Sequence, residues 1–251
     1  MIQSKKALVV DREVTEKALA EIQFSMTGLV DRSTAPKLGK ISGGQKFIEL
    51  LTSSTNVTLC YTDIETNRVE YSQTVKNSSF YEMVNDFIKF LDHNILLNNL
   101  SKLKSNSSSI SVKISPSKPK YKNNEPISFT AKVSEDSYLY LLLIQNDGEI
   151  FSLYPNENQT NNFVKAGETI IIPDKNSGVV FAAGEPFGTD RIKAIASKTK
   201  LNLFHTSKIA GSPFSQVEEK GDRFTRGIKQ VVTGLPASDW NSAEVEITTE
   251  P

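Results

Sequence analysis

SYLYLLLIQNDGEIFSLYP, running from Ser137 to Pro155, is the most apolar stretch of the chain and carries its own turn. Leu139 to Ile144 is a continuous apolar run bounded by polar residues. It is too short for a membrane span and fits a strand buried on both faces. Asn146, Asp147 and Gly148 supply the turn, because Asp-Gly between two strand-like runs favours a hairpin and Gly accepts positive φ without steric cost. Ile150 to Tyr154 returns, and Pro155 ends the strand by removing a ladder donor. The second half of the protein is expected to be built around this hairpin.

Strand signals surround it. Ile110–Ile114, Ile127–Val133, Tyr138–Ile144, Ile150–Tyr154, Thr169–Ile172, Val179–Ala182 and Arg191–Ser197 are separated by Pro, Gly, Asn and Asp. Short strands punctuated in this way predict an all-β antiparallel sandwich. One late helix is expected from Asp222 to about Val232, with Phe224, Ile228, Val231 and Val232 inward. Ala243 to Thr248 then returns as a last strand pairing within the sandwich.

The first half has a different texture. Ala7 to Val10 reads as a short strand, and Val14, Ala18, Leu19, Ile22 and Met26 fall on one face of a helix ending near Gly28. Ser33 caps a short helix through Ala35, Leu38 and Ile41, closed by Gly43 and Gly44. Phe47–Leu51, Val57–Ile64 and Arg68–Val75 read as strands, the last two joined by a turn at Glu65, Thr66 and Asn67. Ser79 caps a longer helix with an apolar stripe of Phe80, Val84, Phe87, Ile88, Leu91 and Ile95. The expected organisation is an α/β or α+β domain over residues 1–97, a polar serine-rich linker over 98–109 with its boundary near Asn106, and the sandwich over 110–251.

Length and composition set limits. At 251 residues the chain is long enough for two domains, each with a core. Lysine plus arginine (29) equals aspartate plus glutamate (29), so no global field favours nucleic acid or an anionic membrane. The single cysteine, Cys60, forbids an internal disulfide and a cysteine zinc cluster, and its place between Leu59 and Tyr61 reads as a buried, inert thiol. There is no run of 18 apolar residues, and residues 1–10 lack the apolar core of a secretory signal. The expected compartment is the cytoplasm if Met1 is the native start. It is the periplasm or outer-membrane surface if a signal lies upstream.

Two family resemblances follow from particular residues. Val10-Asp11-Arg12, Leu19-x-Glu21-Ile22-Gln23, Gly28-Leu29-Val30-Asp31 and Ala35-x-x-Leu38-Gly39-Lys40 before Gly43-Gly44 resemble the curli-secretion-lipoprotein (CsgG-type) domain over residues 7 to about 95. The chain begins too late to contain that family's first strand and helix, and no alternating lipid-facing segment is evident, so pore formation is not implied. Asp11 and Arg12 read more simply as a strand end and helix cap, and Gly39, Gly43 and Gly44 as helix terminators, since no Walker or dinucleotide spacing surrounds them.

Farther on, Tyr121 with Glu125, Asp136-x-Tyr138-Leu139-Tyr140, Asp147-Gly148, Leu153-Tyr154-Pro155-Asn156, Gly167 before Ile172-Pro173, and Pro186-Phe187-Gly188-x-Asp190 before Ile195-Ala196-Ser197 resemble bacterial domain of unknown function 4384, over about residues 112–248. That resemblance implies company with envelope lipoproteins and with caspase-like or kinase multidomain proteins, and no activity.

Chemistry has few carriers. Histidine is the usual base near neutral pH, and only His93 and His205 are present. His93 is expected near a helix C-terminus, where the dipole favours a cation. A triad drawn from His205, Asp190 and Ser207 or Ser212 lacks a Gly-x-Ser-x-Gly elbow. The Asn and Asp loops at 146–149, 156–162 and 174–176 offer oxygens to calcium, but their spacing is not that of an EF-hand and hairpin turns use the same residues. No cofactor, metal site or catalytic residue is expected.

Aromatics remain. Tyr138, Tyr140, Phe151 and Tyr154 alternate along the hairpin, so one subset faces a second layer or solvent. Tyr154, Phe187 and Trp240 are the candidate partner contacts if they emerge together at one end of the sandwich; otherwise they fill its corners. The expected function is a non-enzymatic interaction or assembly module of the bacterial cell envelope, docking a protein or glycan, with homo-oligomerisation through the N-terminal domain as a further expectation. The alternatives are a hydrolase using a carboxylate pair or His205 in an interdomain cleft, and a cytoplasmic accessory protein completed by a partner's strand.

Overall fold

The computed structural model describes residues 46–251. The expected strand at Ala7–Val10, the two early helices and the curli-secretion-like pieces before Gly44 lie outside the described residues. Two compact units are divided between Phe87 and Ile88.

In the first unit, β1 (Lys46–Thr52), β2 (Asn56–Asp63) and β3 (Arg68–Lys76) form an antiparallel sheet in that order. The β2–β3 turn falls where the sequence predicts it. Asp63 Oδ1 accepts from the Thr66 N–H and hydroxyl, both at 2.7 Å, and Asn67 takes φ 56°, a conformation that Asn tolerates. The register pairs Ile48 with Tyr61, and Tyr61 with Tyr71, on one face. Among the described residues of this unit, Val57, Leu59, Met83 and Phe87 are the buried apolar ones, and the Phe87 ring lies 5.3 Å from that of Tyr61 and 5.2 Å from that of Tyr71. Cys60 points to the other face, half-buried beside Ser72, so the fully buried thiol expected from its neighbours is corrected by the two-residue period.

Helix α1 spans Phe80–Ser101, and the division between the units falls inside it. Its fully buried residues are Met83, Phe87, Leu96 and Leu100, whereas Phe80, Val84, Ile88, Leu91 and Ile95 of the expected stripe are half-buried.

The second unit contains a large sheet whose strands run in the order β14 (Thr206–Lys208), β15 (Ser215–Val217), β9 (Ile150–Tyr154), β8 (Ser137–Ile144), β13 (Gly188–Ser197), β16 (Trp240–Glu250) and β5 (Lys120–Lys122). A short β10 (Phe163–Val164) also pairs with β8. All these pairings are antiparallel except that of β16 with β5. A three-stranded antiparallel sheet orders β11 (Thr169–Ile172), β7 (Phe129–Val133) and β4 (Val112–Pro116), and β12 (Phe181–Ala182) pairs with β6 (Pro126–Ile127).

The hairpin at the centre is buried on both faces, as its unbroken apolar run requires. Leu139 and Leu141 join Phe129, Ala131, Ile172, Ile192 and Ile247 in one core. Tyr140, Leu142 and Ile144 join a second core with Leu96 and Leu100 of α1 and with Phe224, Ile228 and Val232 of α2 (Gly221–Thr233). Each such buried side chain contributes about 1.5–3 kcal/mol of transfer free energy. The all-β expectation for this half is therefore corrected: strands dominate, but two helices cover the second face of the large sheet.

The linker is corrected too. Leu100 and Leu103 are buried, the hydroxyls of Ser105 and Ser242 donate to the carbonyls of Ala237 and Leu103, and Asn241 Nδ2 donates to the Ile110 carbonyl at 2.7 Å. Serine-rich composition read as solvation; here two leucines reach the core and hydroxyls satisfy backbone carbonyls.

Candidate functional site

The second unit holds a cavity of about 130 Å³ beside the large sheet, walled by Phe129, Leu143, Phe181, Ile192, Phe214 and Ile247. Its aromatic wall is braced by Phe181 and Phe214, whose rings meet edge to face at 4.6 Å. Strand alternation brings Asp190 into this apolar company, because it lies two residues from Ile192 on β13 and pairs with Ile247 on β16. Asp190 is 5% exposed.

One residue orients it. Asp190 Oδ1 accepts the Asn146 backbone N–H at 3.0 Å and Asn146 Nδ2 at 3.4 Å, while Nδ2 also donates to the Pro186 carbonyl at 3.0 Å. Gly188 permits the approach: a Cβ there would stand 2.6 Å from Asn146 Nδ2, and its φ is +151°. The Gly188 N–H donates to Thr249 Oγ1 at 3.2 Å, and that hydroxyl lies 3.3 Å from the Gly188 carbonyl. The hairpin turn and the Pro186–Asp190 motif are thus one physical assembly, each holding the other in place.

Burial pushes the Asp190 carboxyl up to about pH 6 against the opposing pull of the Asn146 bonds, and the nearby Asp147 adds to the rise. Asp190 Oδ2 has no hydrogen-bond partner among the described residues, and Asp190 lines the cavity. The lining holds no His, Cys, Ser, Lys or Arg. What the arrangement offers is a largely apolar chamber with a buried acceptor of adjustable charge at Asp190 and the exposed Glu185 carboxylate in its lining.

The residues singled out by sequence are dispersed. Tyr154 is buried in the first core with its hydroxyl donating to the Asn161 carbonyl at 2.8 Å, and Trp240 is buried in the second core with α2. Phe187 is half-buried in the loop before Gly188. The shared contact patch of Tyr154, Phe187 and Trp240 is corrected, since the first and last pack into separate cores.

His205 does not meet Asp190. Its side chain is 77% exposed, and its Nδ1 lies 2.6 Å from Glu219 Oε1, a bond that holds the imidazole above its ordinary pKa. Ser212 Oγ accepts the Phe214 N–H instead of joining a triad. His93 stands eight residues before the end of α1, not in its last turn, and burial lowers its pKa, so a dipole-stabilised cation is corrected to a neutral ring. Its Nδ1 is buried without a hydrogen-bond partner.

The candidate calcium loops are occupied by turn chemistry: Asn156 Oδ1 accepts from Asn158 and Gln159, and Asp174 Oδ1 from Asn176. Among the described residues no three His, Cys, Asp or Glu side chains gather as a metal site.

No local sequence pattern marks the cavity. Asp190 had a signal, since it alternates with Ile192, Ala194 and Ala196 and therefore puts a carboxylate on a core face.

Residues 120–200, less than half of the chain, match the model of a family described as "Domain of unknown function (DUF4384)". The match runs from β5 to just beyond β13 and includes Asn146, Pro186, Gly188 and Asp190. It supports the second of the two resemblances in the sequence; the curli-secretion likeness has no matching family model. No curated protein and no solved structure matches the chain. No helix among the described residues is long and apolar enough to cross a membrane.

Proposed function

We propose that this chain is a non-enzymatic interaction module of the bacterial cell envelope, in which residues 88–251 bind a partner or small ligand through the Asp190 cavity and the N-terminal, curli-secretion-like region serves assembly. The observation that carries the reading is the setting of Asp190: a buried carboxylate bonded at Oδ1 by Asn146 alone, in a lining whose other ionisable side chain, Glu185, is exposed and makes no hydrogen bond to it. General acid–base or nucleophilic turnover requires a second reactive group within hydrogen-bond reach, whereas binding needs only apolar area and an orienting acceptor. The envelope assignment rests on the two family likenesses.

The hydrolase reading would place turnover either at a carboxylate pair, since Glu185 lines the same cavity as Asp190, or at His205, whose Glu219 partner resembles the base-and-orienter half of a triad. A screen of the purified chain and of His205→Ala against ester, peptide, glycoside and phosphoester substrates tests it. No turnover by either protein is expected; turnover lost in the variant would replace the binding reading with catalysis. Fractionation of cells expressing the native gene tests the compartment, with recovery in the envelope expected and recovery in the cytosol against it.

A further inference from the structure

Building on the binding reading, we propose that the Asp190 cavity receives a single small aromatic ring carrying one hydrogen-bond donor, a phenol or an indole, supplied either as a free small molecule or as a tyrosine or tryptophan side chain of a partner protein. Three observations on this site select that chemistry.

Size comes first. A cavity of about 130 Å³ is close to the roughly 150 Å³ cavity that holds benzene, and below the 300 Å³ or more of pockets for drug-sized ligands. It admits one ring and little else. Shape and surface come second. Phe129, Phe181 and Phe214 line it, and the edge-to-face pairing of Phe181 with Phe214 leaves aromatic faces and edges for a third ring.

The third is the count of acceptors. Oδ1 of Asp190 is taken by Asn146, and the Thr249 hydroxyl is engaged with Gly188, so Oδ2, the half-buried amide of Gln145 and the exposed carboxylate of Glu185 are the polar side-chain groups left to a guest, and of the three residues only Asp190 is buried. An ammonium brings three donors and a guanidinium five, and most of these would be desolvated without partners. A phenol or indole brings one donor, which Oδ2 satisfies. A plain hydrocarbon ring would fill the space but leave Oδ2 unbonded, at the cost of the discrimination that a buried polar group imposes.

The test is an amide-resolved NMR titration of the full chain with p-cresol, 3-methylindole, toluene and n-butylamine, and with N-acetyl-tyrosine methylamide as a side chain flanked by backbone. p-Cresol or 3-methylindole is expected to shift the amides of Asn146, Asp190 and Phe214 and to bind about tenfold or more tightly than toluene or n-butylamine. Asp190→Asn, whose amide turns a donor toward the guest, is expected to erase that preference while circular dichroism stays unchanged. Binding of the blocked tyrosine as well as p-cresol assigns the ring to a partner protein; binding of p-cresol alone assigns it to a small molecule. Equal affinity for toluene and p-cresol, tighter binding of n-butylamine, or no binding by the folded wild-type chain overturns the proposal, and none of these depends on the variant folding. Those failures leave the non-enzymatic reading standing, whereas chemical conversion of a bound phenol would overturn that reading and keep the ligand class.

Discussion

Lys193 Nζ donates to the carbonyl oxygen of Leu100 at 2.7 Å, from a side chain only 2% exposed, and so joins the middle of β13 to the end of α1 across 93 residues of sequence. The last carbonyls of a helix lack intrahelical donors and carry the negative end of its dipole, so a cation suits the position. Yet burial outweighs the Glu244 carboxylate 3.4 Å away and lowers the Lys193 pKa. The net effect of the charge is unfavourable.

Lys193→Met, which keeps the stem and removes the ammonium, is therefore expected to raise stability at pH 7 by about 1–2 kcal/mol, as replacement of buried ions by apolar groups often does. Leu100 still accepts from the Leu103 N–H and Glu244 from the Ser101 hydroxyl, so neither is orphaned. Because the folded state binds fewer protons than the unfolded one between the lowered pKa and the ordinary lysine value of 10.5, wild-type stability rises with pH across that window and the gap narrows. Urea unfolding at pH 7 and pH 10 measures it; a lower midpoint for the variant contradicts the assignment.

Asp190 predicts a slope of the opposite sign. Its folded pKa of about 6 exceeds the unfolded 3.8, so the folded state holds the proton longer and stability falls as pH rises from about 4 to 6. The interval is worth about 3 kcal/mol. Asp190→Asn keeps an oxygen for Asn146 and cannot ionise, so its stability relative to wild type should climb by about 2–3 kcal/mol between pH 4 and 7. Parallel pH curves for the two proteins would show that the carboxylate is solvated.

Gly188→Ala should lose about 1–3 kcal/mol, since the new methyl meets Asn146 at 2.6 Å in a backbone conformation foreign to alanine. Gly227→Ala is the contrast. It lies inside α2 with nothing within 4 Å of the added Cβ, and a gain of about 0.5–1 kcal/mol is expected from helix propensity. Chemical denaturation of both checks the pair, and a harmless Gly188→Ala would remove the steric basis of the Asn146–Asp190 contact.

Leu103→Ala separates a packed segment from a free linker. With Leu103 only 7% exposed in the second core, the truncation should cost about 2–4 kcal/mol. An unchanged unfolding midpoint would restore residues 98–109 to solvent.

Much of the strand and helix pattern could be read directly. The 137–155 hairpin was legible because an unbroken apolar run with an Asp-Gly turn has few other uses, and the phase of Phe224, Ile228 and Val232 placed α2 within a residue of its observed ends. The 98–109 segment misled because serine is equally compatible with solvent and with bonding a buried carbonyl, and Ser105 and Ser242 do the latter. Helix α1 was found, but its divided allegiance between two units was not, since periodicity reports a buried face and never names the partner. Tyr154 and Trp240 failed as a patch because large aromatics suit a core and an interface alike. In the sequence Asp190 stands only within a motif and an unsupported triad. Its meaning depends on Asn146, 44 residues away, which no local pattern reveals.

The most direct measurement is the pH titration of the Asp190 side-chain carboxyl carbon by NMR, in the free chain and with p-cresol or toluene. A midpoint at about 6 is expected in the free chain, lowered by p-cresol through its bond to the ionised form and unmoved by toluene. A midpoint near the ordinary carboxyl value of 3.8, indifferent to either ring, would overturn it.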